Sequence, residues 1–192
     1  MKIANRILKL RRYVSQCLLA AAIFAATGLS LTAQQPPASG PSGPEIQREA
    51  MRKLAFLAGH WSGPISVSRG PGEPVKLTQT EEVQYKLDGL VMLIEGTSRD
   101  SEGKTSFNAL ATVSFDDATH NYHFRAYNGG HYIDTELTVT TNGFSWGYDA
   151  GTAHVANAMR LTGKGEWSET TDVTVGSNPP HRSVEMLLQH QP

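Results

Sequence analysis

Residues 121–148 read NYHFRAYNGGHYIDTELTVTTNGFSWGY, and this stretch decides the fold. Apolar and polar side chains alternate along it with a period of two, which is typical of β-strands with one buried face. The alternation is interrupted at Gly129-Gly130 and at Asn142-Gly143, two pairs of residues that favour two-residue hairpin turns. The stretch therefore predicts three consecutive antiparallel strands that share one apolar face.

A third pair of this kind, Asp88-Gly89, lies earlier in the chain. Each two-residue turn fixes the register of its hairpin, and a slip by one residue would turn every side chain to the other face. All three registers place apolar residues on the same side, and Leu87 is expected there opposite Leu90. The predicted cross-strand pairs are Tyr85–Met92 and Val83–Ile94, then Ala126–Ile133, Phe124–Thr135 and Tyr122–Leu137, then Thr141–Phe144, Val139–Trp146 and Leu137–Tyr148.

Short alternating segments follow one another from residue 60 to the end of the chain. Sequential hairpins with one apolar side close into a barrel, because closure removes the unpaired strand edges. We therefore predict an all-β fold, an up-and-down antiparallel β-barrel of about ten strands. The predicted strands are 60–68, 75–87, 90–98, 105–115, 120–127, 131–141, 144–149, 154–162, 166–174 and 182–190.

One amphipathic helix is predicted before the first strand, between Pro44 and Gly59. Proline in the first turn and glycine after the last turn are typical of helix boundaries. Ile46, Ala50 and Leu54 recur on one face at helical spacing. This single helix is expected to pack near one end of the barrel.

The first 33 residues have the pattern of a signal peptide, because a basic segment precedes an apolar run and then small residues. The apolar run is shorter than the roughly 20 residues that a membrane span requires, which disfavours the alternative of a membrane anchor. We predict a signal peptide over 1–33, a disordered Pro/Gly/Ser-rich tether over 34–43 and a single β-barrel domain over 44–192. The protein is then periplasmic or secreted, without membrane association after cleavage.

Composition excludes two classes of function. The chain has 17 basic and 18 acidic residues, and removing the five basic residues of 1–33 leaves 12 against 18. A nucleic-acid partner is not expected, because phosphate contacts need a basic surface. The one cysteine, Cys17, lies within the predicted signal peptide, so we expect neither a disulfide nor thiol chemistry in the mature chain.

The predicted interior is mostly aromatic. Such a face either packs solidly or holds a small apolar ligand, and a barrel of this size permits both. Oriented polar groups among the aromatic side chains would fix the polar end of a ligand. The predicted ligand-lining residues are Tyr85, Met92, Phe107, Tyr122, Phe124, Trp146, Tyr148, Asn157 and Glu169.

Glu169 is the candidate catalytic residue. Alternation from Trp167 places its carboxylate inside the barrel, where desolvation would raise its pKa and suit it to acid or base chemistry. The alternative is that Glu169 forms an ion pair with a basic side chain such as Arg160 or Arg182, or lies at the barrel rim.

A second polar cluster, formed by His123, Arg125 and Tyr127, alternates on the opposite face. In the Gly129-Gly130 register Arg125 lies opposite Asp134 and His123 lies opposite Glu136, which indicates charge pairs on the outer surface. We therefore predict no metal site.

Three motifs carry a resemblance to known families: Leu57-Ala58-Gly59-His60-Trp61-Ser62-Gly63, Gly165-Glu166-Trp167-Ser168-Glu169 and Val184-Glu185-Met186-Leu187-Leu188. Over residues 45–190 the chain resembles a family of lipocalin-like exported bacterial proteins of unknown function within the calycin superfamily. More distantly it resembles nitrobindin-like haem-binding barrels, from which it departs at Ile65, where a further glycine is expected.

The resemblance implies a fold, but it does not imply a reaction. The lipocalin likeness implies that a basic residue, Arg182 or Arg160, packs across Trp61. The nitrobindin-like likeness implies His181 or His190 as the axial ligand if haem binds. No other cofactor is expected.

We expect a protein that binds a small hydrophobic or amphipathic molecule without turning it over, rather than an enzyme. One alternative is an isomerase or hydrolase on the same barrel with Glu169 as the acid or base. The other is a structural or interaction protein with a filled barrel and an outward apolar patch at Val91 and Leu93.

Overall fold

The computed structural model describes residues 42–70 and 72–192. The predicted signal peptide, 1–33, lies outside the described residues, and so does the predicted tether except for Ser42 and Gly43. Ser42 is the N-cap of the helix, and Gly43 is its first residue. No helix of the described residues is long and apolar enough to span a membrane.

All ten predicted strands are present, each within one residue of its predicted bounds. They follow a helix, α1, and a short 3-10 turn at Ala55–Leu57. The elements are α1 (Gly43–Arg52), β1 (Gly59–Val67), β2 (Val75–Lys86), β3 (Val91–Arg99), β4 (Thr105–Asp116), β5 (Asn121–Asn128), β6 (His131–Thr140), β7 (Gly143–Ala150), β8 (Ala153–Leu161), β9 (Trp167–Val175) and β10 (His181–Gln191).

The strands form one closed antiparallel barrel in which every strand pairs with the next along the chain and β10 pairs with β1. The predicted fold class is therefore confirmed. Closure leaves no strand edge unpaired, and the alternation of each strand sends one row of side chains into a common interior.

The registers predicted from Asp88-Gly89 and Gly129-Gly130 are confirmed, as the pairs Tyr85–Met92 and Phe124–Thr135 show. Leu87 does not lie on the apolar face, and 70% of it is exposed. The physical reason is the backbone of Leu87, whose φ of 50° lies in the left-handed region, so the extended conformation of β2 ends at Lys86.

The register predicted from Asn142-Gly143 is wrong by two residues, because Val139 pairs with Phe144. Gly143 belongs to β7 rather than to the turn. A side chain there would collide with the backbone carbonyl of Met159 on β8, so close strand approach explains this glycine. A shift by two keeps each side chain on its predicted face.

Helix α1 begins with a capping box, in which the Ser42 amide donates to the Glu45 carboxylate at 2.7 Å. It is shorter than predicted and ends at Arg52. Met51 and Leu54, at its C-terminal end, are fully buried in the core. The helix thus closes one end of the barrel.

Turns between strands hold the helix from outside. Gln47 donates to Asp117 between β4 and β5, and Arg48 donates to the Asp88 carbonyl between β2 and β3. The helix therefore covers the end of the barrel that carries these two turns, and the opposite end is the one available for access.

Candidate functional site

The barrel contains a cavity of about 390 Å³ between its closed end and its opposite end. The cavity reaches the surface beside the exposed side chains of Phe107, Tyr127 and Tyr132. Its lining residues are Glu81, Ile94, Gly96, Phe107, Ala109, Ala111, Phe124, Ala126, Tyr127, Asn128, His131, Tyr132, Ile133, Phe144, Trp146, Tyr148, Trp167 and Glu169.

Small side chains on neighbouring strands create this space. Gly96 on β3 pairs with Ala109 on β4, and Ala111 pairs with Ala126 on β5. Interiors of proteins otherwise pack densely, with few voids larger than a water molecule. The cavity therefore results from the coincidence of four small residues on adjacent inward rows.

Aromatic rings line much of the remaining wall. The rings of Phe124 and Trp146 lie 4.6 Å apart between centroids, and Trp146 stacks on Tyr148 at 6.0 Å with an interplanar angle of 13°. Phe144 meets Trp167 edge-on at 6.2 Å. These contacts order the rings around the cavity, which suits it to an apolar or planar molecule.

Glu81 is held on the cavity wall by a short hydrogen-bonded chain. The Gln79 amide donates to the Glu81 carboxylate at 2.6 Å, and the Ser98 hydroxyl donates to the Gln79 carbonyl oxygen. A side chain at Gly96 would place its Cβ 2.8 Å from both carboxylate oxygens of Glu81. The absence of a side chain at Gly96 therefore makes room for this carboxyl group.

Glu169 is the second carboxyl group on the wall, and it accepts a hydrogen bond of 2.8 Å from the Trp167 indole N–H. Burial raises the pKa of Glu169, and the indole donor acts in the opposite direction. The inward position predicted for this residue is observed. Within the described chain it has no ion pair with Arg160 or Arg182.

Burial also raises the pKa of Glu81, to about 8. The hydrogen bond from Gln79 opposes this rise, and the negative charge of Glu169 adds to it. The two groups border the same cavity, and the rings of Trp61, opposite Glu81, and Trp167, the donor to Glu169, lie 5.6 Å apart between centroids. Near neutral pH the cavity holds groups that can donate, accept or exchange a proton.

The predicted lining residues divide between the cavity and the core. Phe107, Phe124, Trp146, Tyr148 and Glu169 lie on the cavity wall. The other aromatic and sulfur-containing residues, Tyr85, Met92 and Tyr122, belong to the packed core beside the helix.

Asn157, the remaining predicted residue, is only 6% exposed. It lies on the inward row between Trp146 on β7 and Thr171 on β9. The Thr171 hydroxyl donates to its Oδ1 at 2.6 Å, whereas its Nδ2 has no hydrogen-bond partner among the described residues. A buried amide donor is thus left unsatisfied on the inner face.

Glu81 and Gly96 were missed at the sequence level. The register of the Asp88-Gly89 hairpin already places Glu81 on the same face as Val83 and Tyr85. The alternation contained the signal, but a charged residue in a strand is ordinarily assigned to the solvent side. The role of Gly96 becomes visible only when the position of the Glu81 side chain is known.

His123 and Arg125 lie on the outer face, as predicted, whereas Tyr127, the third member of that cluster, borders the cavity mouth. Arg125 forms an ion pair with Asp134. His123 faces Glu136 in the register, but its ion-pair contact, at 3.9 Å, is with Asp116. Among the described residues no group of three or more His, Cys, Asp or Glu side chains has the arrangement of a metal site.

Arg182 does not pack over Trp61. A β-bulge between Arg182 and Val184 turns the arginine outward, where it forms ion pairs with Asp172 and Glu185. Arg160 also lies outside, next in sequence to the inward-facing Met159. The predicted structural role of a basic residue at Trp61 is therefore wrong.

Trp61 instead has a histidine neighbour. Its indole N–H donates to the Leu57 carbonyl at 2.8 Å, and its ring meets His190 edge-on at 4.8 Å. Neither His190 nor His181, the axial ligands implied by the nitrobindin-like resemblance, belongs to the cavity wall. The histidine that does belong to it is His131, at the mouth, so the implied ligands do not fit haem in this cavity.

No protein-family model matches the chain, and no curated protein matches it in sequence. Among solved structures, the chain is similar to the crystal structure of Rv2717c from M. tuberculosis, with a TM-score of 0.57 and 13% sequence identity. The match covers 74% of this chain and 98% of that chain. At this identity the likeness concerns the fold alone: both chains form the same type of β-barrel.

Proposed function

We propose that the barrel binds a small hydrophobic or amphipathic molecule in its cavity and releases it unchanged. The observation that carries this proposal is the open, aromatic-lined cavity of about 390 Å³. Small-molecule sites are typically concave, mostly apolar and roughly 300–1,000 Å³ in volume, with a few oriented polar groups. The aromatic wall would desolvate the ligand, and the carboxyl groups would fix its polar end.

An empty cavity of this size has a cost in stability, because its lining atoms lose packing contacts. A bound ligand restores those contacts, so the four small residues that open the space are more readily explained by binding than by structure alone. The alternative of an interaction protein has less support. Val91 and Leu93, where an outward patch was expected, are half-buried.

Export is a further part of the proposal. It is supported by the basic and apolar pattern of residues 1–33, and it places the barrel in the periplasm or outside the cell. Membership of the lipocalin-like calycin group is likewise proposed, from the sequence motifs around Trp61 and Trp167. Such a protein would carry its ligand rather than transform it.

The proposal is tested by titration with Nile red, a neutral apolar dye. Ala126 lies on the cavity wall, so Ala126→Trp fills part of the cavity. Ala158→Trp is the matched control, since Ala158 is exposed on the outer face of β8. We expect the wild type and Ala158→Trp to bind the dye with enhanced fluorescence and Ala126→Trp to lose most of the binding. Equal binding by all three proteins would place the dye elsewhere and contradict the proposal.

An enzyme of the isomerase or hydrolase type is the second candidate, favoured by the raised pKa of Glu169 inside the cavity. It predicts that a molecule recovered from the wild-type cavity is converted on incubation and that Glu169→Gln stops the conversion. Recovery of the molecule unchanged supports binding alone.

A further inference from the structure

We propose that the molecule bound in the cavity is an organic cation, whose positively charged nitrogen is received between Glu81 and Glu169. This inference rests on the proposed function and names the chemical class of its ligand. It is carried by three independent features of the interior: the two carboxyl groups without a countercharge, the donors that hold them, and the aromatic wall around them.

Among the described residues, neither carboxyl group has a lysine or arginine beside it on the cavity wall, and the one histidine of that wall, His131, lies at the mouth. Directly across from Glu81 on the inner face lie Trp61 on β1 and Gly96 on β3. Directly across from Glu169 lie two methionines, Met159 on β8 and Met186 on β10. The described cavity wall contains neither lysine nor arginine. Two half-buried carboxylates on an apolar cavity wall are stabilised by protons or by a cation from outside the described residues.

The donors around the carboxyl groups favour their ionised forms. Glu81 accepts a hydrogen bond from the Gln79 amide, and Glu169 accepts one from the Trp167 indole. A hydrogen bond donated to a carboxylate stabilises its charged state. Gln79 and Ser98, which position Glu81, are both buried, so this arrangement is held rigidly. These donors favour the charged forms, whereas burial without a countercharge in the described chain raises the pKa of both groups, so a bound cation would favour their ionisation.

The aromatic wall selects an organic cation over a metal ion. Two carboxylates without a third ligand fall short of a metal site in the described residues. The rings of Phe144, Trp146 and Trp167 border the same cavity, and aromatic faces attract organic cations. An ammonium group with an apolar or planar body would satisfy the rings and the carboxylates together.

Asn157 supplies an independent indication of a polar ligand group. Its Nδ2, which has no hydrogen-bond partner among the described residues, is buried on the inner face beside Trp146; Trp146 borders the cavity, whereas Asn157 lies behind it, outside the lining. A buried donor without an acceptor is unfavourable, and a ligand acceptor reaching it would relieve this. A cation that also carries a hydroxyl or carbonyl group would match both features.

Three probes that share one ring system test the inference: naphthylmethylamine, which is cationic near neutral pH, neutral naphthalenemethanol and anionic naphthoate. Binding is measured by isothermal titration calorimetry on the mature protein. We expect the amine to bind at least about ten-fold more tightly than the alcohol, because two carboxylates attract it in a low dielectric, and naphthoate to bind least.

Variants assign the preference to the two carboxyl groups. Glu81→Gln and Glu169→Gln are each expected to reduce the preference for the amine, and the double variant to abolish it, with the affinity for the alcohol unchanged. Glu95→Gln is the matched control, since Glu95 is exposed on the outer face of β3, and it is expected to behave as the wild type. Circular dichroism verifies that each variant is folded.

Proton release gives a second readout. At about pH 7 the empty cavity holds a proton on Glu81, whose pKa is about 8, and a bound ammonium group displaces it. The measured heat of amine binding is therefore expected to depend on the ionisation enthalpy of the buffer in the wild type, and to lose this dependence in the double variant.

Equal affinity for the amine and the alcohol, tighter binding of naphthoate, or full retention of the amine preference in the double variant would each overturn the inference. An absence of binding by all three probes would also overturn it. Binding of Nile red then distinguishes failure of this inference from failure of the proposed function. A cavity that binds the dye but shows no preference for the amine contradicts a cationic ligand and remains consistent with the proposed function.

Discussion

At the scale of the residue, the position of the Glu81 carboxyl group is determined by the neighbouring side chains. This group occupies space that exists because Gly96 has no side chain, and it is oriented by Gln79. Alternation along β2 predicts the face on which Glu81 lies. The space for its carboxyl group depends on Gly96, and the hydrogen bond that orients it depends on Gln79. The sequence pattern therefore predicts the direction of this side chain and leaves its surroundings undetermined.

The raised pKa of Glu81 predicts how stability changes with pH. The folded state holds the Glu81 proton up to about pH 8, whereas the unfolded state releases it near the ordinary value of 4.5. Stability is therefore greatest where the group is protonated in both states and falls as the pH rises from about 4.5 to about 8, by a few kcal/mol in total. Glu169 acts in the same direction.

Urea unfolding of the ligand-free protein at about pH 5 and about pH 8.5 measures this effect. Asp116 and Asp172 have lowered pKa values, so their contribution is lost only at more acidic pH and does not obscure the comparison. We expect the free energy of unfolding to be lower at the higher pH and the decrease to be much smaller in Glu81→Gln. A wild-type stability that rises across this range would contradict a buried carboxyl group at Glu81.

At the scale of the element, the hairpins were predictable where a turn alone determines the register. Gly129-Gly130 has this property, because no neighbouring strand requires a glycine there. Gly143 and Arg182 show where local reading fails. Gly143 is required by the close approach of β8, and the outward position of Arg182 follows from a β-bulge in β10. Both depend on contacts with a neighbouring strand, β8 or β9, that a local turn motif does not reveal.

Helix α1 is joined to the barrel by hydrogen bonds from inside. The Tyr85 and Tyr122 hydroxyls donate to the carbonyls of Met51 and Ala50, each at 2.7 Å, near the C-terminal end of the helix. These carbonyls also accept backbone hydrogen bonds from the Lys53 and Leu54 amides, so the tyrosines act as second donors to the end of the helix. The tyrosines predicted as ligand contacts therefore anchor the element that closes the barrel.

Tyr122→Phe removes one of these bonds while it keeps the ring. We expect it to lower the free energy of unfolding by about 1 kcal/mol, because a buried carbonyl loses a donor, and to leave Nile red binding unchanged. Tyr132→Phe is the matched control, since Tyr132 is 65% exposed, and its effect on stability should stay within about 0.5 kcal/mol. Loss of dye binding in Tyr122→Phe would mean that Tyr122 contacts the ligand after all.

At the scale of the whole molecule, closure of the barrel was predictable and its volume was not. Ten sequential alternating segments predict a closed barrel, because an open sheet would leave two strand edges unpaired. The cavity depends on Gly96, Ala109, Ala111 and Ala126 meeting on three adjacent strands. That coincidence appears only when all the registers are combined, which explains why a filled barrel and a hollow barrel remained equal alternatives at the sequence level.

Native mass spectrometry of the protein purified from its own host, compared with the denatured mass, tests the central claim most directly. We expect an excess mass in the native spectrum that disappears on denaturation, because the cavity should retain its ligand. Among the released molecules we expect one with a positively charged nitrogen. A native mass equal to the denatured mass, together with no binding of Nile red, would contradict the account of the cavity as a ligand-binding site.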